Sequence, residues 1–342
     1  MDRPSAARSA GLLVVAFVAT LVLLAGGRAL IGRGGAAPQR SPALSGLSPS
    51  AIAPGSIPPS VAPATVPPAV EPNASDAPTF VLLGAGDIAN CSLDGAKQTS
   101  DLLLGQPGWI FTAGDNAYGN GSAEDYASCY APTWGRVLGR TILPAAGNHD
   151  WNTPNAQGYR DYFGSRAAPQ GTTWYSTTIG TWHIVVLDSD CNRVGGCDRD
   201  SAQGRWLAAD LKASDARCTL AIWHQPRFSS GVHGDDPQVA PFWDLLFEHG
   251  AELVINGHDH DYERFGPQDP SGKADSPAGI RELVVGTGGA DLRGFTHSTP
   301  NSEFRMQGTN GVLRLTLHQV NYDWEFLPTA SDIAESGSTP CH

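Results

Sequence analysis

Basic residues are scarce in this chain. Lys and Arg number 22 against 34 Asp and Glu in 342 residues, a formal charge of −12. Without a basic surface to neutralise a phosphate backbone, nucleic acid is excluded as an expected partner. A small phosphate-bearing substrate is not excluded, because bound cations would add positive charge that the formal sum omits. Cysteine is also sparse, with six residues at scattered spacings and no C-x-x-C, which argues against a cysteine zinc site. All six follow an apolar N-terminal segment, where an oxidising compartment favours disulfides. Cys191 and Cys197 can close the loop "CNRVGGC", while Cys91, Cys129, Cys218 and Cys341 leave three pairings open.

Two stretches lack what folding into a domain requires. Residues 9–27, "SAGLLVVAFVATLVLLAGG", hold 19 residues without a charge. That run is long enough to cross a bilayer as a helix and slightly long for a signal-peptide core, although Ala25 and Gly27 could serve a cleavage site. Residues 1–35 therefore read as a signal-anchor or a signal peptide, with the remainder outside the cell, membrane-anchored or secreted. Residues 36–78 contain no aromatic residue and almost no charge but abundant Pro, Ala and Ser, so they cannot bury enough surface to fold. Proline-rich chain is extended, which makes this linker a stalk on the order of 100 Å long.

What remains, 79–342, is long enough for a sizeable core. Short apolar runs recur in it, each ending in Gly or polar residues: "FVLLGAGD", "WIFTAGDN", "TILPAAGNHD", "HIVVLDSD", "TLAIWHQP", "ELVINGHDH" and "ELVVGTGG". These read as strands buried on both faces, with "SAQGRWLAADLKA" and "PFWDLLFEHG" as intervening helices, and the alternation predicts a layered α/β fold. In that architecture sites collect at the carboxyl ends of strands. Here those ends carry Asp87, then Asp115 and Tyr118, then Asn148, His149 and Asp150, then His224, then His258 and His260. Any one of them alone reads as structural. Five strand ends bearing oxygen and imidazole donors predict a metal site.

Two other patterns fail on their residues. "GAGDIA" at 84–89 matches a dinucleotide fingerprint, yet it would set Asp87 against a pyrophosphate. "HDHDYE" at 258–263 approaches the H-x-H-x-D-H pattern of metallo-β-lactamase-like hydrolases, but Tyr262 and Glu263 stand where Asp and His are required. Asp188 and Asp190 read as turn caps, and His249 suits a helix C-terminus before Gly250. His183, His297, His318 and His342 receive no role, and the sequons at Asn73 and Asn120 matter only in a host that glycosylates.

In order along the chain, "GD", "GDNAY", "GNHD", "WHQP" and "GHDH" resemble the calcineurin-like metallophosphoesterases, and more closely their purple acid phosphatase branch. The resemblance covers essentially all of 79–342 and none of the stalk or anchor. Many relatives carry a histidine ligand where Ala89 stands; Tyr118, in the G-D-x-x-Y spacing, replaces it in the purple branch. The resemblance implies a layered α/β/β/α sandwich of two mixed sheets, and two metal ions. Asp87, Tyr118 and His260 would hold one metal, Asn148, His224 and His258 the other, and Asp115 would bridge them. A carboxylate, a phenolate and a bridging carboxylate suit iron(III), whereas two imidazoles and an amide suit divalent iron, zinc or manganese.

The implied reaction is hydrolysis of a phosphate monoester by in-line attack of hydroxide generated between the two cations. His149 would stabilise or protonate the leaving group, with Asp150 orienting it. His233 matches a second substrate-facing histidine; some relatives have a histidine pair there, but Gly234 follows here. Two alternatives stand beside this reading. One is a phosphodiesterase or nucleotide hydrolase with the same two metals; the other is a stalked binding module with a degenerate enzyme head.

Overall fold

The computed structural model describes residues 79–342 apart from Ser331 and Ala334. The apolar run at 9–27, the segment 36–78 and the Asn73 sequon lie outside the described residues. Among the described residues no helix is long and apolar enough to cross a membrane.

Among the described residues thirteen strands form two mixed sheets. In the first, β1 (Phe80–Ala85), β2 (Trp109–Ala113) and β3 (Thr141–Ala145) run parallel at one side. The second contains β4 (Tyr175–Ile179), β5 (Trp182–Val186), β6 (Cys218–Ile222), β7 (Leu253–Asn256), β8 (Tyr262–Phe265), β9 (Arg281–Val285) and β10 (Ser302–Met306), in the order β10-β8-β9-β7-β6-β5-β4. The first sheet is completed by β11 (Gly311–Leu317), β12 (Asn321–Pro328) and β13 (Glu335–Pro340), antiparallel to one another, with β11 pairing against β1. Strands β5, β6, β7 and β9 run parallel.

The period-two alternation of side chains explains why these parallel strands are apolar throughout. Ile184, Val186, Leu220, Ile222, Leu253, Ile255, Leu283 and Val285 join the core that also contains Leu82, Phe111 and Leu143 of the first sheet. Their neighbours Val185, Ala221, Val254 and Val284 face a second core beneath the helices Ala202–Ala213 and Ala240–Glu248. The first of these helices buries Leu207 and Leu211, four residues apart, and is capped by Ser201, whose hydroxyl accepts from the Gly204 N–H at 2.9 Å. The second buries Phe242, Trp243, Leu245 and Leu246 and ends with the His249 ring against the Leu245 carbonyl at 2.9 Å.

The two sheets are stitched together at their carboxyl ends. The N–H of Gly86 donates to the Val285 carbonyl at 2.9 Å, and that of Ala290 to the Asp87 carbonyl at 2.8 Å. The approach is close enough that a Cβ on Gly86 would lie 3.1 Å from Gly257 Cα, just after β7 of the other sheet. Every strand end singled out above therefore opens onto one crevice. Three disulfides join Cys91 to Cys129, Cys191 to Cys197 and Cys218 to Cys341, which resolves the open pairings.

Candidate metal centre

Each of the two central carboxylates divides its oxygens between the backbone and the crevice. Asp87 Oδ2 accepts from the His258 N–H at 2.7 Å, leaving Oδ1 2.7 Å from the Tyr118 hydroxyl and 3.2 Å from His260 Nε2. Asp115 Oδ1 accepts from the His149 N–H at 2.7 Å, leaving Oδ2 3.2 Å from both the Tyr118 hydroxyl and His224 Nε2. Completing the cluster, His258 Nδ1 lies 3.3 Å from His224 Nε2. The chain turns sharply to achieve this: Asp87, Asp115 and His258 all hold positive φ, at 58°, 49° and 72°. Such strain persists where surrounding structure over-determines it, as at functional sites.

Backbone carbonyls set the three imidazoles from behind. His224 Nδ1 sits 2.8 Å from the Ala113 carbonyl, His260 Nδ1 2.6 Å from that of Asp291, and His149 Nδ1 2.7 Å from that of Gly119. These contacts leave the Nε2 of His224 and of His260 facing the carboxylates. The residue that replaces the missing histidine is physically tied to the position it replaces, since the Tyr118 N–H donates to the Ala89 carbonyl at 2.9 Å.

The electrostatics fit a site for cations. Burial pushes the Asp87 and Asp115 carboxyls up, but the His260 and His224 charges beside them more than offset it and hold both well below the usual carboxylate range. Burial opposes charge on His224 as well, yet Asp115 and Asp87 raise it to about 10, and Asp87 raises His260. His258, buried and next to charged His224, falls to about 3. Burial, Asp87 and Asp115 together keep Tyr118 a phenol. The two carboxylates thus draw positive charge towards His224 and His260, a demand that bound cations would meet. A further sign is Asn148, whose Oδ1 is buried with no hydrogen-bond partner; a buried amide oxygen without a partner is costly unless a ligand completes it. The residues present therefore fit a pair of metal ions. The trio Cys218, Glu252 and Cys341 also converges, but its two sulfurs are bonded to each other.

Six of the expected ligands, Asp87, Asp115, Tyr118, His224, His258 and His260, meet in the crevice, and Asn148 precedes His149 in the turn after β3. His149 stands at the mouth, its ring against Tyr118 at 4.3 Å and its Nε2 3.9 Å from Asp115 Oδ2. His233, on an exposed loop, lies against the His258 ring at 4.2 Å.

One expectation needs correction, and another, the Asp188 turn cap, is met by its Oδ1 accepting from the Asp190 N–H at 3.0 Å and then extended. Asp150 makes no hydrogen bond to the His149 ring, which is oriented by the Gly119 carbonyl instead. Its buried carboxylate accepts from Asn116 Nδ2, the Gly147 N–H and the Tyr126 hydroxyl at 2.9, 3.0 and 2.7 Å, so it braces the turns after β2 and β3. Burial, then the Asp115 charge, raises it to about 6. Asp188 is more than a turn cap. It is fully buried and accepts from Trp151 Nε1 at 2.9 Å and Thr173 Oγ1 at 2.5 Å, pinning both ends of the 151–173 segment.

The residue unseen in the sequence is Arg293, in the loop after β9. Its guanidinium donates to His233 Nε2. The only signal was position: "ELVVGTGG" ends a strand in the same parallel set, and an arginine follows a few residues on.

The chain was compared with known proteins. The sequence model described as calcineurin-like phosphoesterase matches residues 77–262, just over half the chain. Purple acid phosphatase 15 of Arabidopsis thaliana is 27% identical over 230 residues, 56% of this chain and 41% of that protein. Purple acid phosphatase 21 of the same plant is 28% identical over 228 residues, 58% of this chain and 51% of that protein. The chain thus spans about half the length, or less, of these relatives. Among solved structures, the purple acid phosphatase PPD1 from yellow lupin seeds shares the fold with a TM-score of 0.63 at 18% identity, over 79% of this chain and 55% of that one.

Proposed function

The chain belongs to the calcineurin-like phosphoesterase family, and from that premise we propose that it hydrolyses phosphate monoesters at a two-metal centre. The observation that carries the reading is the position of Asp115 Oδ2. It lies 3.2 Å from Tyr118 of one expected ligand set and 3.2 Å from His224 of the other, where a bridging carboxylate belongs. Asp87, Tyr118 and His260 would hold one ion, and Asn148, His224 and His258 the second. The hard oxygen set suits iron(III); the imidazole and amide set suits divalent iron, zinc or manganese. When bound, such a pair supplies an acidified water and charge to clamp phosphoryl oxygens.

The chain's own groups do the rest. Asp87 and Asp115 would neutralise the ions, and their second oxygens lock the turns at His258 and His149. His149, at the mouth with Nδ1 fixed on Gly119, presents Nε2 to the leaving-group oxygen. Asp150 keeps that turn rigid through Asn116 and Gly147. Residues 79–342 would be the catalytic head, 36–78 its spacer and 1–35 its anchor or signal. The three disulfides support an oxidising, extracellular setting.

The test is hydrolysis of an aryl phosphate monoester by the full chain with both metals verified. Turnover is expected, and Asp115→Ala should abolish it. Absence of turnover despite two bound metals would sink the monoesterase reading; diesters would then be tried, and their failure would leave the binding module.

A further inference from the structure

One cation at the crevice has no part in the reading above. Arg293 lies in a segment sewn tightly to the loop that carries His233. Its own N–H donates to the His260 carbonyl at 3.0 Å, the Thr296 N–H and hydroxyl donate to the Ser230 and Gly231 carbonyls at 3.0 and 2.9 Å, and the Thr299 N–H to Ser230 Oγ at 2.9 Å. The opposite loop is equally fixed. Buried Asp259 accepts from the Ser229 hydroxyl and from the N–H groups of His233 and Gly234, the latter two at 2.8 and 3.2 Å. Two loops clamped this way present side chains with little entropy left to lose on binding.

Between them the guanidinium is held at Nη1 by His233 and faces Asp291 Oδ2 from Nε at 3.5 Å. Asp291 is 60% exposed, so that pair is loose and readily exchanged for a stronger one. Nη2 makes no hydrogen bond among the described residues. Arg293 stands beside the ligand cluster, its guanidinium on His233 Nε2 and the His233 ring against His258 at 4.2 Å. It is within reach of the next anionic group on the same molecule. Gly234, where some relatives place a second histidine, leaves this side open: a Cβ there would meet nothing nearer than His297 Cε1, at 3.7 Å. The loop after β9 thus supplies the positive side chain that the 233–234 turn does not.

We propose that Arg293, backed by His233, is a specificity-determining residue that binds a second oxyanion of the substrate, a phosphate or carboxylate a few bonds beyond the scissile phosphate. The fork of the guanidinium suits either group bidentately. The proposal deepens the phosphomonoesterase reading and rests on it, since the metals must anchor the first phosphate.

The experiment uses two non-hydrolysable probes sharing one anchor, methylphosphonate and phosphonoacetate, and measures their binding calorimetrically to the full chain with metal content verified. Wild type should bind phosphonoacetate at least about tenfold more tightly, the worth of a charge-assisted hydrogen-bond pair. Arg293→Gln should collapse that preference to within about threefold, and Arg293→Lys should retain part of it. A preference that persists in Arg293→Gln, or is missing from wild type that binds methylphosphonate, would overturn the assignment and leave the metal-centre reading standing. Equal weakening of both probes by Arg293→Gln would also overturn it, because the arginine would then be supporting the whole site. Failure of metal-loaded wild type to bind either probe would overturn the metal-centre reading and this one with it.

Discussion

At the residue scale, two side chains make opposite demands on their protons. As the proposed general acid, His149 would be needed only where the leaving group is a poor one. A general acid contributes roughly 10²–10⁴-fold, so His149→Ala should cut kcat by that order for an alkyl phosphate and far less for a nitrophenyl ester. Equal losses on both substrates would remove the assignment. Glu252 acts on stability instead. It is buried, one oxygen accepts from the Thr219 N–H at 2.5 Å, and burial raises it to about 7 from an ordinary 4.5. Between those two values the folded protein holds a proton that the unfolded chain has released. Stability must therefore fall as pH rises from about 4.5 to about 7, by up to ~3 kcal/mol. Glutamine keeps the acceptor and never ionises. Glu252→Gln should match wild type near pH 4 and exceed it by about 1–3 kcal/mol at pH 8 in urea unfolding with disulfides intact. Parallel pH profiles for the two proteins would show that Glu252 carries no such penalty.

At the scale of elements, what the sequence disclosed depended on burial. The seven apolar runs are all strands, and they include the four parallel strands of the second sheet, whose two faces enter two different cores. Strands such as β4 and β13 escaped notice because half their residues face outward, and "ESGSTP" has no apolar pattern to read. The helix Gly95–Gly105 hid for a related reason: it buries Gly95, Ala96, Thr99, Ser100 and Leu103, among which only Leu103 is a large apolar residue, so the apolar stripe is faint. The metal-ligand candidates were legible because each follows a readable strand. The carbonyls behind the histidines were not, since any residue supplies a carbonyl. Glycine spacing in these turns carries a testable cost. A Cβ on Gly147 would lie 2.3 Å from Asp115 Oδ1, the oxygen that accepts the His149 N–H. Gly147→Ala should therefore displace the bridging carboxylate, lowering metal content below two ions per chain and activity by at least about 10²-fold, a loss in line with misplacing reacting groups by about 1 Å. Full metal occupancy in that variant would mean the turn can relax without moving Asp115.

At the scale of the whole molecule, the three disulfides differ in what they join, and one of them links the two sheets. Cys218 opens β6 in the second sheet, Cys341 directly follows β13 in the first, and the bond between them spans 123 residues. Cys91–Cys129 spans 38 residues and Cys191–Cys197 only 6. If these bonds act by restricting the unfolded chain, their worth grows with the logarithm of the span, at about 5, 4 and 2 kcal/mol respectively. Paired Cys→Ala variants should lower the unfolding free energy in that order, with the urea slope rising as the freed unfolded chain expands. The competing account is that each bond acts through native packing, and it predicts a different order. Cys191–Cys197 flanks the second core and sits beside Ser189 and Asp190 near His224, so its removal would then cost more than its short span allows. A free-energy order that follows loop length supports the chain-entropy origin; an inverted order, with activity falling alongside stability in the 191–197 variant, would assign that bond to the crevice.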